Sequence, residues 1–375
     1  MYRRLTLRNF RSIEEAEVTL GPFGVVVGPN SSGKSNFVDG FVFMRDLAMD
    51  ASTAISSRGG ISSVRRFSKS KPYEVQVTLR LATTNDALDD EYFEHSATIR
   101  SGKDGAWSFK REHIALANKW RIYREGNSVD VQKSESLQLN VEEIAPTASV
   151  MSLVRHVLLK QVPSRFRRAL LGVYRYRFNP QLMQQPQVAS EGERLVESGQ
   201  NITSALRSAS SRSDVLGPLK HIVPDLQHLR VIHAGRHMLL ELEQDEANSF
   251  SAADASEGAM RALGVIVAAK QLQKHELLII EEPEANIHVG AAQLIFDVLK
   301  QASRRGTVLI TSHSPELLDA AHDEDILVCD YRDGVTRVGP LATEQRQLVK
   351  DGLFKVAELV RTEPLRIEGD QPATL

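Results

Sequence analysis

The sequence has little cysteine, little net charge and no long apolar run. Cys329 is the only cysteine among 375 residues, which excludes an internal disulfide and a cysteine-cluster metal site. The formal net charge of −2 gives no global basic field toward nucleic acid or membrane, so any DNA contact needs a local patch. No stretch approaches about 18 consecutive apolar residues, the length of a membrane span, and residues 1–5 lack the apolar run of a signal peptide. We therefore expect a cytoplasmic protein without a membrane partner.

The remaining composition is that of an ordinary globular protein. Hydrophobic residues make up 42% of the chain and charged residues 25%, and the length allows one large domain or two smaller ones. Residues 2–8 and 14–20 alternate apolar and polar, as half-buried strands do. The apolar run 24–27 ends in a glycine loop, and a helix is predicted over 35–47. The Ser-, Gly- and Arg-rich residues 50–72 are expected to form a loop.

The rest of the chain divides into a strand-rich part and an alternating part. Between residues 73 and 131, strand-like stretches separated by polar turns predict an antiparallel sheet. From residue 249 onward, helices alternate with fully apolar strands, which is typical of a buried parallel sheet. Helices are predicted over 149–171 with a break at Pro163, around 199–208 and 213–222, and over 259–272, 289–302 and 349–360. Strands are predicted over 173–178, near 231, and over 238–242, 277–280, 307–311 and 326–330, and residues 363–375 are expected to fray.

A phosphate-binding loop follows the first apolar run. The residues Gly28-Pro29-Asn30-Ser31-Ser32-Gly33-Lys34-Ser35 match GxxxxGK[ST] between a strand and a helix. Glycines let backbone N–H groups point at phosphate oxygens, and the amino end of the following helix favours the same anion. Lys34 would reach the β- and γ-phosphates of ATP, and Ser35 would hold Mg²⁺. The alternative is a chance glycine turn, which this strand–loop–helix context disfavours.

A second motif places carboxylates at the end of a buried strand. The apolar run 277–280 leads into Glu281-Glu282-Pro283-Glu284. Carboxylates beside an apolar run are costly unless water, a metal or a reaction partner takes them up. Glu281 stands where a Walker B acid would hold Mg²⁺ through water, and Glu282 stands where a general base would activate the attacking water. The alternative, a solvated acidic turn, loses weight because a P-loop is present.

Two further segments are ambiguous when taken alone. Ser256 and Gly258 stand at a helix start, where they could bind phosphate, although Ser256 could simply cap that helix. His313 follows the apolar strand 307–311, where a lone histidine is more often part of a turn. The order of the four motifs along the chain decides in favour of a shared site.

In this order, the motifs resemble those of the ABC-type ATPases of the RecF, SMC and overcoming-lysogenization-defect group. The chain is most similar to stand-alone ATPases with the sequence Glu-Glu-Pro-Glu, and segments 9–12, 58–60 and 176–180 also look like theirs. The resemblance covers most of residues 1–330. It implies an α/β fold: a P-loop ABC-type ATPase head with a mixed central sheet, an antiparallel β subdomain and a small helical lobe. The segments would be 1–180 with the P-loop lobe, 181–250 as a helical connecting lobe, 251–345 with the signature, Walker B and switch regions, and 346–375 as a C-terminal helix and tail.

The resemblance also implies residue roles. In this family two heads face each other across two ATP molecules, so the chain would form a homodimer through an ATP sandwich. Each site would join the P-loop of one subunit to Ser256 and Gly258 of the other. Glu282 would be the general base, His313 would sense the γ-phosphate, and Lys34 would act on the phosphates. Ser35, Glu281 and Gln181, the candidate Q-loop glutamine, would lie at Mg²⁺. Asn9, Arg11 and Asn36 would lie beside the nucleotide. Residues 285–288 would form the D-loop.

Three positions depart from the family pattern. Glu281 replaces the usual Asp and adds one methylene before a metal that is strict about geometry, although Glu is common in the Glu-Glu-Pro-Glu relatives. Glu257 stands where transporters have glycine, and Val289 stands where the relatives usually have proline. No sustained heptad run follows the P-loop, so no long coiled-coil arm is expected. We also expect no appended nuclease domain, because little chain follows residue 330.

These observations lead to one main functional hypothesis and two alternatives. The main hypothesis is an ATP-driven switch that gates DNA or a separately encoded effector protein, in DNA repair or antiphage defence. The second is the motor subunit of a membrane transporter, which the Glu-Glu-Pro-Glu sequence and the signature loop disfavour. The third is a P-loop kinase or GTPase, although the Asn-Lys-x-Asp of GTPases is lacking. DNA contacts, or merely solvated basic faces, are predicted at Arg65, Arg66, Lys69, Lys71, Arg165, Arg167 and Arg168.

Overall fold

The computed structural model shows an α/β fold built on two sheets. It describes residues 1–67, 73–85, 91–117, 119–132, 143–153, 160–188, 194–207, 209–244, 248–362 and 364–369. The strands of the large sheet are β1 (Tyr2–Phe10), β2 (Ile13–Leu20), β3 (Phe23–Val27), β4 (Glu74–Ala82), β5 (Tyr92–Ser101), β6 (Trp107–Leu116), β7 (Trp120–Glu125), β8 (Ser128–Gln132), β9 (Val173–Tyr176), β14 (Leu277–Glu281), β15 (Thr307–Ser312), β16 (Ile326–Arg332) and β17 (Val335–Pro340). The small sheet contains β10 (Gln187–Val188), β11 (His228–Ala234), β12 (His237–Glu243) and β13 (Ser249–Ser251).

Helices cover the large sheet and form the lobe beside it. They are α1 (Lys34–Met49), α2 (Ala51–Ser56), α3 (Ile61–Val64), α4 (Val150–Leu153), α5 (Ser164–Leu171), α6 (Pro180–Met183), α7 (Ile202–Ala205), α8 (Ala209–Lys220), α9 (Glu257–Gln271), α10 (Val289–Ala302), α11 (Pro315–Ala320), α12 (Thr343–Lys350) and α13 (Val356–Thr362). None of the helices within the described ranges is both long and apolar enough to cross a membrane.

Five strands of the large sheet run parallel, in the order β9, β14, β15, β3, β16. Strands β3, β14 and β15 are buried along their whole length, and each carries an apolar run, at 25–27, 277–280 and 308–310. Thr311 of β15 lies opposite Glu281, and Ser312 lies opposite Val27. The residues after β3, β14 and β15 are therefore brought to one edge of the sheet, where ligands bind in open α/β folds.

The antiparallel subdomain predicted between residues 73 and 131 is confirmed as β4 to β8. These strands continue the large sheet outward from β1 and β2 in the order β1, β4, β5, β6, β7, β8. The connection to the parallel half is the short pairing of β2 with β17, at Ile13 and Thr336. This pairing matters for the site because β17 also lies directly under the P-loop.

Side chains of the parallel strands alternate between two hydrophobic cores. Leu277 and Ile279 of β14 pack into the core that contains α1 and the antiparallel strands. Leu278 and Ile280 pack into the core formed with α9, α10 and the helical lobe. Residues 277–280 of β14 are all apolar because each face of the sheet is covered.

Residues 181–250, predicted to form a helical connecting lobe, contain less helix within the described ranges than the sequence indicated. The predicted helices 199–208 and 213–222 correspond to α7 and α8, and the predicted strand 238–242 is β12. Strand β12 pairs with β10, β11 and β13, so a four-stranded antiparallel sheet accompanies the helices.

Three predictions of local structure were wrong. Residues 50–72 were expected to be loop, but α2 and α3 occupy much of the described part, and Asp50 caps α2 by accepting from the Thr53 N–H. The single helix over 349–360 is two helices, α12 and α13, separated by a turn in which Gly352 has φ 68°. The tail does not fray over its described part, since the Ala342 N–H donates to the Arg366 carbonyl at 2.8 Å. Residues 68–72, 154–159, 363 and 370–375 lie outside the described ranges.

Candidate functional site

The P-loop runs from β3 into α1, and its neighbours dictate two of its glycines. A Cβ at Gly28 would lie 1.9 Å from the carbonyl oxygen of Cys329, and a Cβ at Gly33 would lie 2.2 Å from Thr336 Oγ1. Gly33 also has φ 105°, a backbone conformation that favours glycine. The Thr336 hydroxyl donates to the Ser32 carbonyl at 2.8 Å. Strands β16 and β17 therefore fix the shape of the loop from below.

Lys34 is folded back into its own loop. Its Nζ donates to the carbonyls of Gly28 at 2.8 Å and Pro29 at 2.9 Å. Burial lowers the pKa of this ammonium from its ordinary value. Gly33 at the amino end of α1 has no side chain that could cap the helix, so the first N–H groups of α1 are available to an anion.

Ser35 and Glu281 meet although they are 246 positions apart in the chain. The hydroxyl of Ser35 donates to Glu281 Oε2, which joins the start of α1 to the end of β14. Arg177 pairs with the same carboxylate in a forked arrangement, from Nε to Oε1 at 2.6 Å and from Nη2 to Oε2 at 3.0 Å. Arg175 Nε lies 4.0 Å from Oε1. Glu281 is only 9% exposed, so these contacts account for its charge.

Glu282 faces His313 at the next position along this edge. Its backbone has φ 50°, a strained value for a non-glycine residue, and its N–H donates to the Thr311 carbonyl at 3.0 Å. His313 Nδ1 lies 3.6 Å from Glu282 Oε1, with about half of each side chain exposed. Unlike Glu281, Glu282 is therefore open to water.

The third carboxylate of the motif, Glu284, is buried. Its Oε1 accepts a hydrogen bond from the hydroxyl of Ser312 at 2.5 Å, and Ser312 directly precedes His313 in the chain. Burial raises the pKa of this carboxyl above its ordinary value. Sequence reasoning gave Glu284 no role, and its only signal was the third acid of the Glu-Glu-Pro-Glu run.

Ser256 and Gly258 begin α9 beside the predicted D-loop. Ser256 Oγ accepts from the Ala259 N–H at 3.2 Å, so the capping alternative is confirmed for this hydroxyl. A Cβ at Gly258 would lie 2.3 Å from the Asn286 carbonyl oxygen, and Asn286 Nδ2 donates to Glu257 Oε2 at 2.9 Å. The signature segment and residues 285–288 are thus one packed unit, and a nucleotide contact of Ser256 stays a prediction.

Arg11 and Asn36 brace the P-loop helix. Arg11 Nε donates to Asp39 Oδ2 at 2.7 Å, and Asn36 Nδ2 donates to Ser12 Oγ at 2.7 Å. Asn9, with φ 53°, accepts from the Arg66 N–H through its carbonyl at 2.7 Å. The proposed nucleotide contacts of Asn9, Arg11 and Asn36 stay predictions.

Asp39 is the centre of an arginine cluster that sequence reasoning missed. Its carboxylate accepts from Arg58 at 2.9 and 3.0 Å, from Arg175 at 3.2 Å and from Arg11. Burial alone would raise the pKa of Asp39, but these hydrogen bonds and charges outweigh it and hold the pKa below its usual range. The cluster anchors α1 to β9, beside Arg177.

Gln181 is exposed on the short helix α6, and its role as the Q-loop glutamine stays a prediction. On the same turn of chain, Gln184 Nε2 donates to the Ala255 carbonyl at 2.6 Å, directly before the signature segment. The contact between this region and the signature is therefore made by a different glutamine.

The predicted basic patches are partly neutralised where they are described. Arg165 pairs with Glu91, and Arg66 Nη1 lies 3.3 Å from Glu14 Oε1. Arg65 stacks over the ring of Tyr73 at 5.3 Å. Lys69 and Lys71 lie outside the described residues, so the extent of a patch around them stays a prediction.

A family model described as "AAA domain, putative AbiEii toxin, Type IV TA system" matches residues 23–319. The Old nuclease of Escherichia phage P2 is 20% identical over 381 residues, covering 92% of this chain and 62% of the nuclease. The chromosome partition protein Smc of Mycolicibacterium paratuberculosis is 32% identical over 114 residues, which cover 29% of this chain and 9% of Smc. The chain thus spans less than two thirds of the length of these relatives. An SMC head bound to the C-winged helix domain of ScpA has the same fold, with a TM-score of 0.59 at 14% identity over 92% of this chain and 98% of that one.

Proposed function

The chain belongs to this AAA domain family, as an ABC-type ATPase of the RecF, SMC and overcoming-lysogenization-defect kind, and from that premise we propose that it is an ATP-driven switch. It binds ATP with Mg²⁺ at the P-loop and hydrolyses it to ADP and phosphate. Two copies close around two nucleotides and open again after hydrolysis. The observation that supports this most directly is the convergence of Lys34, Ser35 and Glu281 at one edge of the parallel sheet.

The site residues divide the work of binding and hydrolysis. Lys34 and the N–H groups at the start of α1 bind the phosphates. Glu282, half exposed at the strand end, accepts a proton from the water that attacks the γ-phosphate. His313, 3.6 Å from Glu282, orients that carboxylate and contacts the γ-phosphate.

Mg²⁺ fits the residues around Glu281. A guanidinium already stands against this carboxylate as a cation, and the hydroxyl of Ser35 meets the same group. Ser35 and Glu281 would hold the ion, with Gln181 as a further candidate, and bound Mg²⁺ would neutralise charge on the phosphate oxygens. The longer Glu side chain reaches Ser35 without distortion of β14, which keeps its pairing with β15 up to Glu281.

The dimer places Ser256 and Gly258 of one copy against the γ-phosphate held by the other. The rigid packing of Gly258 on Asn286 supports this role because it presents the start of α9 as a fixed surface. The relatives, a phage nuclease and a chromosome partition protein, support a setting in antiphage defence or DNA repair. The output would be a separately encoded effector protein or DNA, which the switch gates.

Phosphate release and molecular mass, both measured with and without Mg²⁺ and ATP, test this function. We expect release of phosphate that stops when EDTA is added, and a doubling of the mass under conditions where ATP is bound but not hydrolysed. Failure to bind any adenine nucleotide in the presence of Mg²⁺ would overturn the proposal. Transfer of phosphate to a small molecule instead of water would favour a kinase.

A further inference from the structure

Arg177 occupies the open side of the carboxylate that the proposed function assigns to Mg²⁺. Among the described residues, its guanidinium donates two hydrogen bonds to Glu281, at 2.6 and 3.0 Å, one to each carboxylate oxygen. A planar guanidinium matches a carboxylate in this forked geometry and makes one of the stronger ion pairs that proteins form. Ser35 takes the remaining direction on Oε2.

The position of Arg177 on the fold makes the pairing specific. Strand β9 lies beside β14, with Tyr176 opposite Ile280, so Arg177, the residue after β9, meets Glu281, the last residue of β14, at the sheet edge. The backbone N–H of Arg177 donates to the Glu197 carbonyl at 2.9 Å, which holds the chain at that point. About half of the side chain of Arg177 is exposed, so the guanidinium has room to swing away from the edge.

The neighbouring Arg175 pairs mainly with carboxylates other than Glu281. It pairs with Asp39 at 3.2 Å and with Glu197 at 2.8 Å, and it approaches Glu281 only to 4.0 Å. The charge of Glu281 is therefore balanced mainly by Arg177. A divalent ion at the same carboxylate would meet a guanidinium at close range, and two cations cannot share these oxygens without strong repulsion.

We propose that Arg177 is the resident counter-ion of Glu281 in the nucleotide-free head and competes with Mg²⁺ for that carboxylate. Arg177 keeps the carboxylate aimed at Ser35, and it must leave before the ion can be held there. Arg177 is thus a positioning residue that sets how strongly nucleotide binding depends on Mg²⁺. This inference rests on the proposed function, because it assigns Glu281 to the metal.

The experiment compares the dissociation constant of a fluorescent ATP analogue in EDTA with that in saturating Mg²⁺, for the wild type and for Arg177→Ala. Only the Mg²⁺-loaded complex requires Arg177 to leave. Removal of Arg177 should therefore tighten binding in Mg²⁺ and increase the ratio of the dissociation constant in EDTA to that in Mg²⁺. We expect an increase of about tenfold, the scale of a forked charged contact discounted for half exposure. Arg177→Lys, which keeps the charge without the fork, should give an intermediate ratio.

The chain offers a matched control at the other end of β14. Arg194 pairs with the carboxylate of Glu276 in the same forked way, at 3.1 and 2.6 Å, far from the P-loop. Arg194→Ala should lower the thermal unfolding temperature and leave the Mg²⁺ ratio at its wild-type value. If Arg177→Ala does the same, Arg177 only supports the fold and the inference is overturned. If the wild type binds no nucleotide with or without Mg²⁺, the proposed function itself fails.

Discussion

Glu282 and His313 face each other across the ends of two adjacent parallel strands, with 3.6 Å between Oε1 and Nδ1. Glu281, one residue earlier, is buried and paired, whereas Glu282 is 41% exposed through its side chain. The switch between the two environments occurs where the backbone of Glu282 takes φ 50°. The change of backbone direction at Glu282 thus separates a buried carboxylate that could hold a metal from an exposed carboxylate that water can reach.

Glu282→Gln should keep ATP binding and stop hydrolysis. The amide has the shape of the carboxylate but accepts no proton, so phosphate release should fall roughly 10²- to 10⁴-fold. The unhydrolysed ATP should hold two copies together, as light scattering would show.

The matched variant for that experiment adds Ser256→Arg to Glu282→Gln. The bulky side chain at the start of α9 should abolish the ATP-dependent dimer and leave ATP binding intact. Hydrolysis by Glu282→Gln at the normal rate would exclude Glu282 as the base. A Glu282→Gln protein that stays monomeric with ATP at high concentration would contradict the sandwich.

Lys34→Ala should remove most ATP binding. Nζ now donates to two carbonyls of its own loop, and in the complex it would exchange them for phosphate oxygens. Calorimetry with a non-hydrolysable analogue should show affinity reduced by more than about tenfold. Lys350→Ala, an exposed lysine near Asp323, is the control and should bind as the wild type does. Equal affinity of Lys34→Ala and the control would show that the P-loop assignment is wrong.

Gly28→Ala should disturb the P-loop from below. The new methyl group would lie 1.9 Å from the Cys329 carbonyl, so β16 or the loop has to shift. We expect a loss of about 1–3 kcal/mol in the free energy of unfolding and a further loss of nucleotide affinity. Gly290→Ala in the first turn of α10 is the control, since its Cβ would make only ordinary contacts with the His288 ring, at 3.4 and 3.8 Å, and it should be neutral or slightly stabilising. Equal unfolding temperatures for both variants would contradict the clash.

Asp39→Asn should destabilise the protein strongly. The neutral amide removes one of the two carboxylates that pair with the buried Arg58, the other being Asp46, and it weakens the contacts of Arg11 and Arg175. Breaking a buried ion pair on one side costs about 3–5 kcal/mol, which denaturant unfolding measures. Asp130→Asn, on the strand β8 far from α1, should change stability little. A loss below about 1 kcal/mol for Asp39→Asn would show that water replaces the carboxylate.

Glu284→Gln should stabilise the protein at neutral pH. Burial raises the pKa of Glu284, so the charged form is the disfavoured one and the wild type loses stability as the pH rises toward that raised pKa. The Ser312 hydroxyl can still donate to the amide oxygen of Gln. The unfolding temperature of the variant should therefore exceed that of the wild type at pH 8, and the difference should vanish near pH 4, where the wild-type carboxyl is protonated. If the difference in unfolding temperature between variant and wild type stays constant from pH 8 to pH 4, the raised pKa of Glu284 is contradicted.

The sequence was most informative where a motif and a periodicity agreed. The glycine pattern of the P-loop and the apolar run before Glu281 predicted both the strands and their meeting at one edge. Arg177 was not found, because its partner lies on a strand that is adjacent only in the folded sheet. The Asp39 cluster was missed for the same reason, since its three arginines come from three separate segments. Helix α2 was overlooked because its Ser, Thr and Ala residues give no apolar periodicity.

The P-loop strand β3 lies between β15 and β16, and both of these strands come long after β3 in the chain. Ser35 contacts Glu281 across a separation of 246 positions in the chain, and Ser32 contacts Thr336 across a separation of 304. Contacts with such separation form slowly, because a long loop must close before they can stabilise anything. During synthesis the antiparallel strands β4 to β8 can therefore pair early, while the nucleotide pocket is assembled only after β14 to β17 have been made. A polypeptide interrupted before β14 would carry a complete P-loop sequence and no site.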